Sequence, residues 1–232
     1  MFLIWTLLFL KVVKLSVGLS PSSLVPTSGP PLLNVPVYSL STVGADGLAT
    51  MNILTYCTPV GTDPTTGERR WAIALFKESL SYAHFTQKGA NGGKGVLQLL
   101  RSQHSPLVRL LGGSSGRHVD KLTESARLGF PWLSMDTLES DIPAPGPLPM
   151  LLPGCEHYLE LRQEGGLLDA GSHVLALCVV DKQLVEEGGN QQIELMAHSQ
   201  SEPPLLMTAA LRGQGLITEA GRVAQRWEDD DC

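Results

Sequence analysis

Three stretches of the chain collect side chains suited to holding a small anionic ligand. The first, Asn52 to Thr58 (NILTYCT), alternates as a strand. Asn52, Leu54, Tyr56 and Thr58 face one way, and Ile53, Thr55 and Cys57 face the other. The first face is mostly polar and carries one aromatic ring, where a strand that bound nothing would more often repeat Val or Leu. The second stretch, Lys77, Ser79, Ser81 and Tyr82, follows the apolar run 71–76. It offers one cation among neutral hydroxyl donors, the set that a phosphate needs. The third, Gly112 to Arg117 (GGSSGR), puts Ser114 or Ser115 in place to cap a following helix, whose free N–H groups and dipole suit an anion. The last two stretches also have a purely structural reading, as a strand end before a capped helix and as a loop with its cap.

Other chemistries fit poorly. The six histidines, His84, His104, His118, His157, His173 and His198, never fall at i, i+4 or within an H-E-x-x-H context, so no metal centre is expected. GANGGKG (89–95) and GGSSG (112–116) are rich in glycine but are neither a P-loop nor a dinucleotide fingerprint. No Ser-His-Asp or paired-carboxylate arrangement marks a hydrolase. Cys57 and Cys178 sit in apolar runs, where thiols usually behave as small hydrophobes. His173 interrupts the apolar run of DAGSHVLALCVVD (169–181). It reads either as a strand-end core histidine or as a neutral imidazole facing a ligand.

The elements that would position these groups are mainly strands. VYSLSTV (37–43), the GADG turn (44–47) and LATMNILTYCTPV (48–60) read as a β-hairpin closed by an Asp-Gly pair. WAIALF (71–76) is a strand apolar on both faces, and SLSYAHFTQKG (79–89) is a helix ended by glycine. GVLQLLRS (95–102) fits strand or helix. A helix is expected from about Arg117 to Leu128, with Val119, Leu122 and Ala126 on one stripe. Three extended segments follow the Pro-rich stretch 143–154, at 155–168, 172–185 and 192–198. Strands at both ends with helices between them suggest a closed or partly closed barrel.

The chain as a whole sets further bounds. At 232 residues one sizeable domain is expected. The net charge of −6, with an acidic run at Glu228 to Asp231, argues against nucleic-acid binding. Four cysteines without C-x-x-C spacing argue against a disulfide scaffold. Phe2 to Leu10 is apolar but shorter than the roughly 20 residues of a membrane span, and a Ser- and Pro-rich stretch follows it. Residues 1–35 are therefore expected to be a targeting or linker segment for an organelle or the secretory route; otherwise the chain is cytoplasmic. Residues 36–220 form the domain, and residues 221–232 an acidic tail.

Taken in order, STVGADGLATMN, NILTYCTPVGTDP, KESLSYAHF, SSGRHVDKL and CEHYLELRQEGGLLDAGSHVLALCVV resemble the flavin reductase-like family of FMN-binding split barrels, including its flavoredoxin-type branch. The resemblance covers about Val37 to Leu195. It implies a mainly β FMN-binding split β-barrel with one or two inserted helices, working as a homodimer. It further implies a flavoprotein oxidoreductase that reduces FMN, or an acceptor through bound FMN, with NAD(P)H. FAD is the variant cofactor, and a non-catalytic FMN-binding or electron-carrier protein is the alternative. On this resemblance Asn52, Thr55, Tyr56 and Thr58 match the strand along the flavin, and Lys77, Ser79 and Ser81 match the phosphate region. Ser115, Gly116 and Arg117 match a loop near the cofactor, and His173 a turn-to-strand junction facing it. The family's usual Gly-Asp-His is Gly171-Ser172-His173 here, which favours binding over acid catalysis for the histidine.

Overall fold

The Asp-Gly turn does what its sequence predicts. Tyr38–Val43 (β1) pairs antiparallel with Ala49–Leu54 (β2) across it. Gly47 adopts φ +81° there, a conformation that L side chains rarely take, and Asp46 Oδ1 accepts from Leu48 N at 3.0 Å. This geometry comes from a computed structural model that describes residues 32–89, 92–135, 149–186, 204–224 and 227. The segments 1–31 and 192–198 and the terminal acidic run lie outside the described residues.

On its other side β1 pairs with Lys94–Leu99 (β5), so the segment that fitted strand or helix is a strand. Cys57–Thr62 (β3), Arg69–Phe76 (β4), His157–Ala170 (β8) and His173–Leu184 (β9) complete a seven-stranded antiparallel sheet in the order β2-β1-β5-β8-β9-β4-β3. Leu133–Ser134 (β6) and Met150–Leu151 (β7) pair separately.

The extended run expected over 48–60 is thus two strands on opposite edges of one sheet, joined only by Thr55 and Tyr56. So short a link requires the sheet to roll until the end of β2 meets the start of β3; at this seam Tyr56 O accepts from Ala74 N at 2.9 Å, which extends the β3–β4 ladder. The common face expected for Leu54 and Tyr56 is lost at this break: Leu54 is buried and Tyr56 is 62% exposed.

Inside the roll, alternate residues pack together: Tyr38 and Leu40 of β1, Ile73 and Leu75 of β4, Leu97 of β5, Leu159 and Leu161 of β8, and Val174, Ala176 and Cys178 of β9. Phe85, on helix α1 (Leu80–Thr86), joins this cluster. A second cluster is built from Met51, Val96, Tyr158 and the buried face of Leu107–Gly113 (α2). It also takes in Leu151, Leu206 and Leu211, the last from Thr208–Gly213 (α4). Val223 and Trp227 pack on it too, and Val37 N donates to Leu206 O at 2.9 Å.

Among the described residues three α-helices, rather than one or two, stand between β4 and β8: α1, α2 and Lys121–Arg127 (α3). Helix α3 starts at Lys121 and not at Arg117, because Asp120 caps it by accepting from Thr123 N at 3.2 Å. Its buried face is Lys121 and Ser125, while Leu122 and Ala126 face outward, which reverses the stripe expected from periodicity.

Candidate functional site

A cavity of about 540 Å³ opens where the sheet edge meets the helices. Its walls are Thr50 and Asn52 of β2, Phe76 at the end of β4, Glu78 to Ser81 at the start of α1, Gly112 to His118, and Lys121. Ser79 Oγ caps α1, accepting from Tyr82 N at 3.1 Å and donating to Phe76 O at 2.8 Å. Glycine lets the 112–118 segment come this close to β2: a Cβ on Gly116 would fall 2.6 Å from Thr50 Oγ1 and 3.1 Å from Leu80 Cδ2.

Of the residues that the sequence singled out, the fold gathers Asn52, Ser79, Ser81, Ser115, Gly116 and Arg117 into this wall. Thr55, Tyr56, Thr58, Lys77 and His173 lie outside it. Thr58 is exposed on β3 and donates to Pro59 O at 3.3 Å, and Thr55 sits in the seam. Lys77 Nζ is 2.7 Å from Asp169 Oδ2. His173 meets Phe76 at a tilt, 5.4 Å between ring centroids, and Tyr56 edge-on at 6.0 Å, and Ser172 Oγ lies 2.9 Å from its Nδ1. Phe76 lines the cavity and meets His173, which in turn meets Tyr56.

The expected cap at Ser114 or Ser115 is not formed. Ser114 Oγ donates back to Leu110 O at 2.6 Å, and Ser115 Oγ accepts from Arg117 N at 3.3 Å. The start of α3 holds the chain's own Asp120 carboxylate, kept below the usual Asp range by its bonds to Thr123. An anion would therefore meet side chains here, not a vacant helix end.

Sequence reasoning missed Lys121, Thr50, Phe76, Glu78 and His118. Lys121 is the least expected of them, being only 5% exposed. Its Nζ donates to Leu111 O at 2.7 Å and Met51 O at 3.0 Å. Burial pulls its pKa down to about 7. A Lys beside a capping Asp reads as solvent-facing.

The donor set suits a phosphate. Arg117 brings a guanidinium whose Nη1 donates to Glu78 O at 2.8 Å, and Lys121 brings an ammonium. Ser81, only 2% exposed, has a buried Oγ without a partner among the described residues. A buried hydroxyl left unsatisfied is costly, and a ligand acceptor would relieve that cost. No group of three or more His, Cys, Asp or Glu among the described residues is placed to hold a metal ion. No described helix is long and apolar enough to cross a membrane.

No protein-family model and no curated protein matches the sequence. Solved structures do match the fold. The FMN-binding protein of Thermus thermophilus with bound 1-cyclohex-2-enone superposes with TM-score 0.54 at 15% identity, over 80% of this chain and 90% of that one. The NADH:FAD oxidoreductase of Streptomyces globisporus C-1027 superposes with TM-score 0.50 at 15% identity, over 67% of this chain and 78% of that one. A longer chain from Sinorhizobium meliloti 1021 aligns with 67% of this chain at TM-score 0.49 and 16% identity, and this chain spans 45% of it. The architecture is accordingly that of the FMN-binding split barrels, mainly β with inserted helices.

Proposed function

We propose that this chain binds FMN, with FAD as the variant, in the cavity between β2, α1 and the 112–118 segment, and acts as a flavin-dependent oxidoreductase with NAD(P)H as reductant. The observation that carries the reading is the convergence of Asn52, Ser79, Ser81, Ser115, Gly116 and Arg117 on one cavity of a split-barrel fold. Residues distant in sequence and chosen for their chemistry meet there.

A bound flavin supplies the hydride chemistry, and the protein supplies position and charge. Arg117 and Lys121 hold the phosphate, and Ser81 Oγ donates to it. The Gly112–Gly116 backbone gives close approach along one wall, and Asn52 on the edge strand borders the ring system. Phe76 offers an apolar surface, braced by His173, whose ring Tyr56 meets in turn. On this reading Tyr56 and His173 act as positioning residues. A second copy of the chain would cover Leu168 and Leu175, cross-strand partners that are 65% and 37% exposed near Phe76.

The test is the absorption spectrum of purified protein with and without added FMN. Retained absorbance near about 450 nm supports flavin binding, and protein that stays colourless after FMN addition and desalting refutes it. Oxidation of NADH or NADPH dependent on FMN separates the reductase from a non-catalytic carrier.

A further inference from the structure

Lys121 presents an unusual electrostatic problem. Its ammonium is buried in the wall of the cavity, held by two carbonyl oxygens at 2.7 and 3.0 Å, and forms no ion pair among the described residues. A buried cation is normally paired, since desolvation without a counter-charge is expensive. An ammonium also has three N–H donors, and the described residues take two of them.

Among the described residues, the neighbouring elements bring no acidic side chain to it. β2 carries no ionisable side chain along Ala49–Leu54, and α2 carries only Arg109. The 114–118 segment brings Arg117 and His118. On α3 itself, Asp120 is bonded to Thr123, and Glu124 to Arg127 at 2.7 Å. Among the described residues Glu78, an exposed carboxylate, is the one acidic side chain of the cavity lining, and its backbone O accepts from Arg117 Nη1. The wall also holds the buried, unpartnered Ser81 Oγ.

We propose that Lys121 is the anion anchor of this cavity: the phosphomonoester of the ligand takes its remaining N–H and supplies the counter-charge that the fold withholds. The choice of FMN as that phosphomonoester rests on the proposed function; the anchor itself rests on the cavity. Two carbonyls alone leave the amine near the midpoint of its titration at neutral pH, since burial brings its pKa to about 7. A phosphate dianion beside it favours the charged form, so ligand binding above neutrality draws a proton from solution. Affinity for the phosphorylated ligand then falls as pH rises above about 7, while affinity for an uncharged analogue does not.

Titration calorimetry of the full chain at about pH 8, in buffers of different ionisation enthalpy, reads this proton directly. FMN binding should take up close to one proton, and riboflavin binding none. Lys121→Met should abolish the uptake and weaken FMN about ten- to hundredfold while sparing riboflavin. Lys121→Arg, permanently charged, should keep FMN affinity and lose the uptake. The wild-type measurement decides even if a variant fails to fold: FMN bound with no proton uptake overturns the anchor and leaves the flavin reading standing. Inorganic phosphate is the second probe. Phosphate bound with Lys121-dependent uptake, but no flavin bound, upholds the anchor and refutes the flavin reading; binding of neither overturns both.

Discussion

Lys77 Nζ and Asp169 Oδ2 lie 2.7 Å apart and tie the end of β4 to the tip of the β8–β9 hairpin. The bond to Lys77 holds the Asp169 carboxyl below the usual Asp range. Asp169 is 74% exposed, so water screens the pair, and its value is in orientation more than in stability. The cation that sequence placed nearest a phosphate is thereby committed elsewhere, and Arg117 and Lys121 are left facing the cavity.

A comparison of FMN with riboflavin follows from that commitment. Arg117→Met should reduce the preference for FMN over riboflavin roughly ten- to hundredfold, the value of a charge-assisted contact. Lys77→Met should change it by less than about threefold. Fluorescence titration with both ligands measures the ratio, and the reverse order would return the phosphate to Lys77.

Gly116 tests how closely the 112–118 segment must approach β2. In Gly116→Ala the new Cβ would lie 2.6 Å from Thr50 Oγ1. Overpacking of this kind costs about 1–3 kcal/mol, and Tm falls by about 2–4 °C per kcal/mol in a chain of this size. Adding Thr50→Ala removes the obstructing oxygen and should recover most of the loss in a melting experiment.

Acid should destabilise the fold through His104. Its ring is fully buried, with Nδ1 accepting from Arg101 N at 3.0 Å and Nε2 2.9 Å from Pro153 O, which assigns the neutral Nε2–H tautomer. Desolvation lowers its pKa, and burial of His84 acts in the same direction. The unfolded chain takes up protons from about pH 6.5 downward while the native state resists them. The histidine contribution to stability is therefore full above about pH 6.5 and declines as pH falls below it. Melting curves from pH 8 to pH 5 should show the decline, and His104→Gln should flatten it.

The internal thiols should be chemically quiet. Burial pushes Cys57 and Cys178 up to about 12, and raises Cys155 as well. Iodoacetamide at about pH 8 should leave all three unmodified in native protein and alkylate them once it is unfolded, as peptide mass spectrometry would show. Rapid native labelling of Cys57 would reopen a reactive-thiol role.

Local chemistry was legible wherever a residue type dictates geometry. The Asp46-Gly47 turn, the Ser79 cap of α1 and the β8–β9 pair follow from such signals. The division of residues 48–60 was not legible, because Thr55 and Tyr56 continue the alternation and no Gly or Pro marks the change of partner. That break is imposed by the rolled sheet. Helix α2 did leave a trace in Pro106 followed by Leu107, Leu110 and Leu111 at i, i+3 and i+4, but the glycines after it read as loop. In the candidate site, the hydroxyls and glycines that the sequence singled out come together on one cavity wall. Which cation faces inward depends on where α3 begins and how it is turned, and periodicity does not carry that.

The sheet order also has a consequence for how the chain is made. β8 pairs with β5 and β9 with β4, so one hairpin joins the half β2-β1-β5 to the half β4-β3. On the ribosome both halves emerge before that hairpin exists, each with a raw strand edge. The non-local pairings that complete the sheet must wait for His157–Leu184. A nascent chain paused short of that segment offers two sticky edges, and chaperones have most to do during that interval.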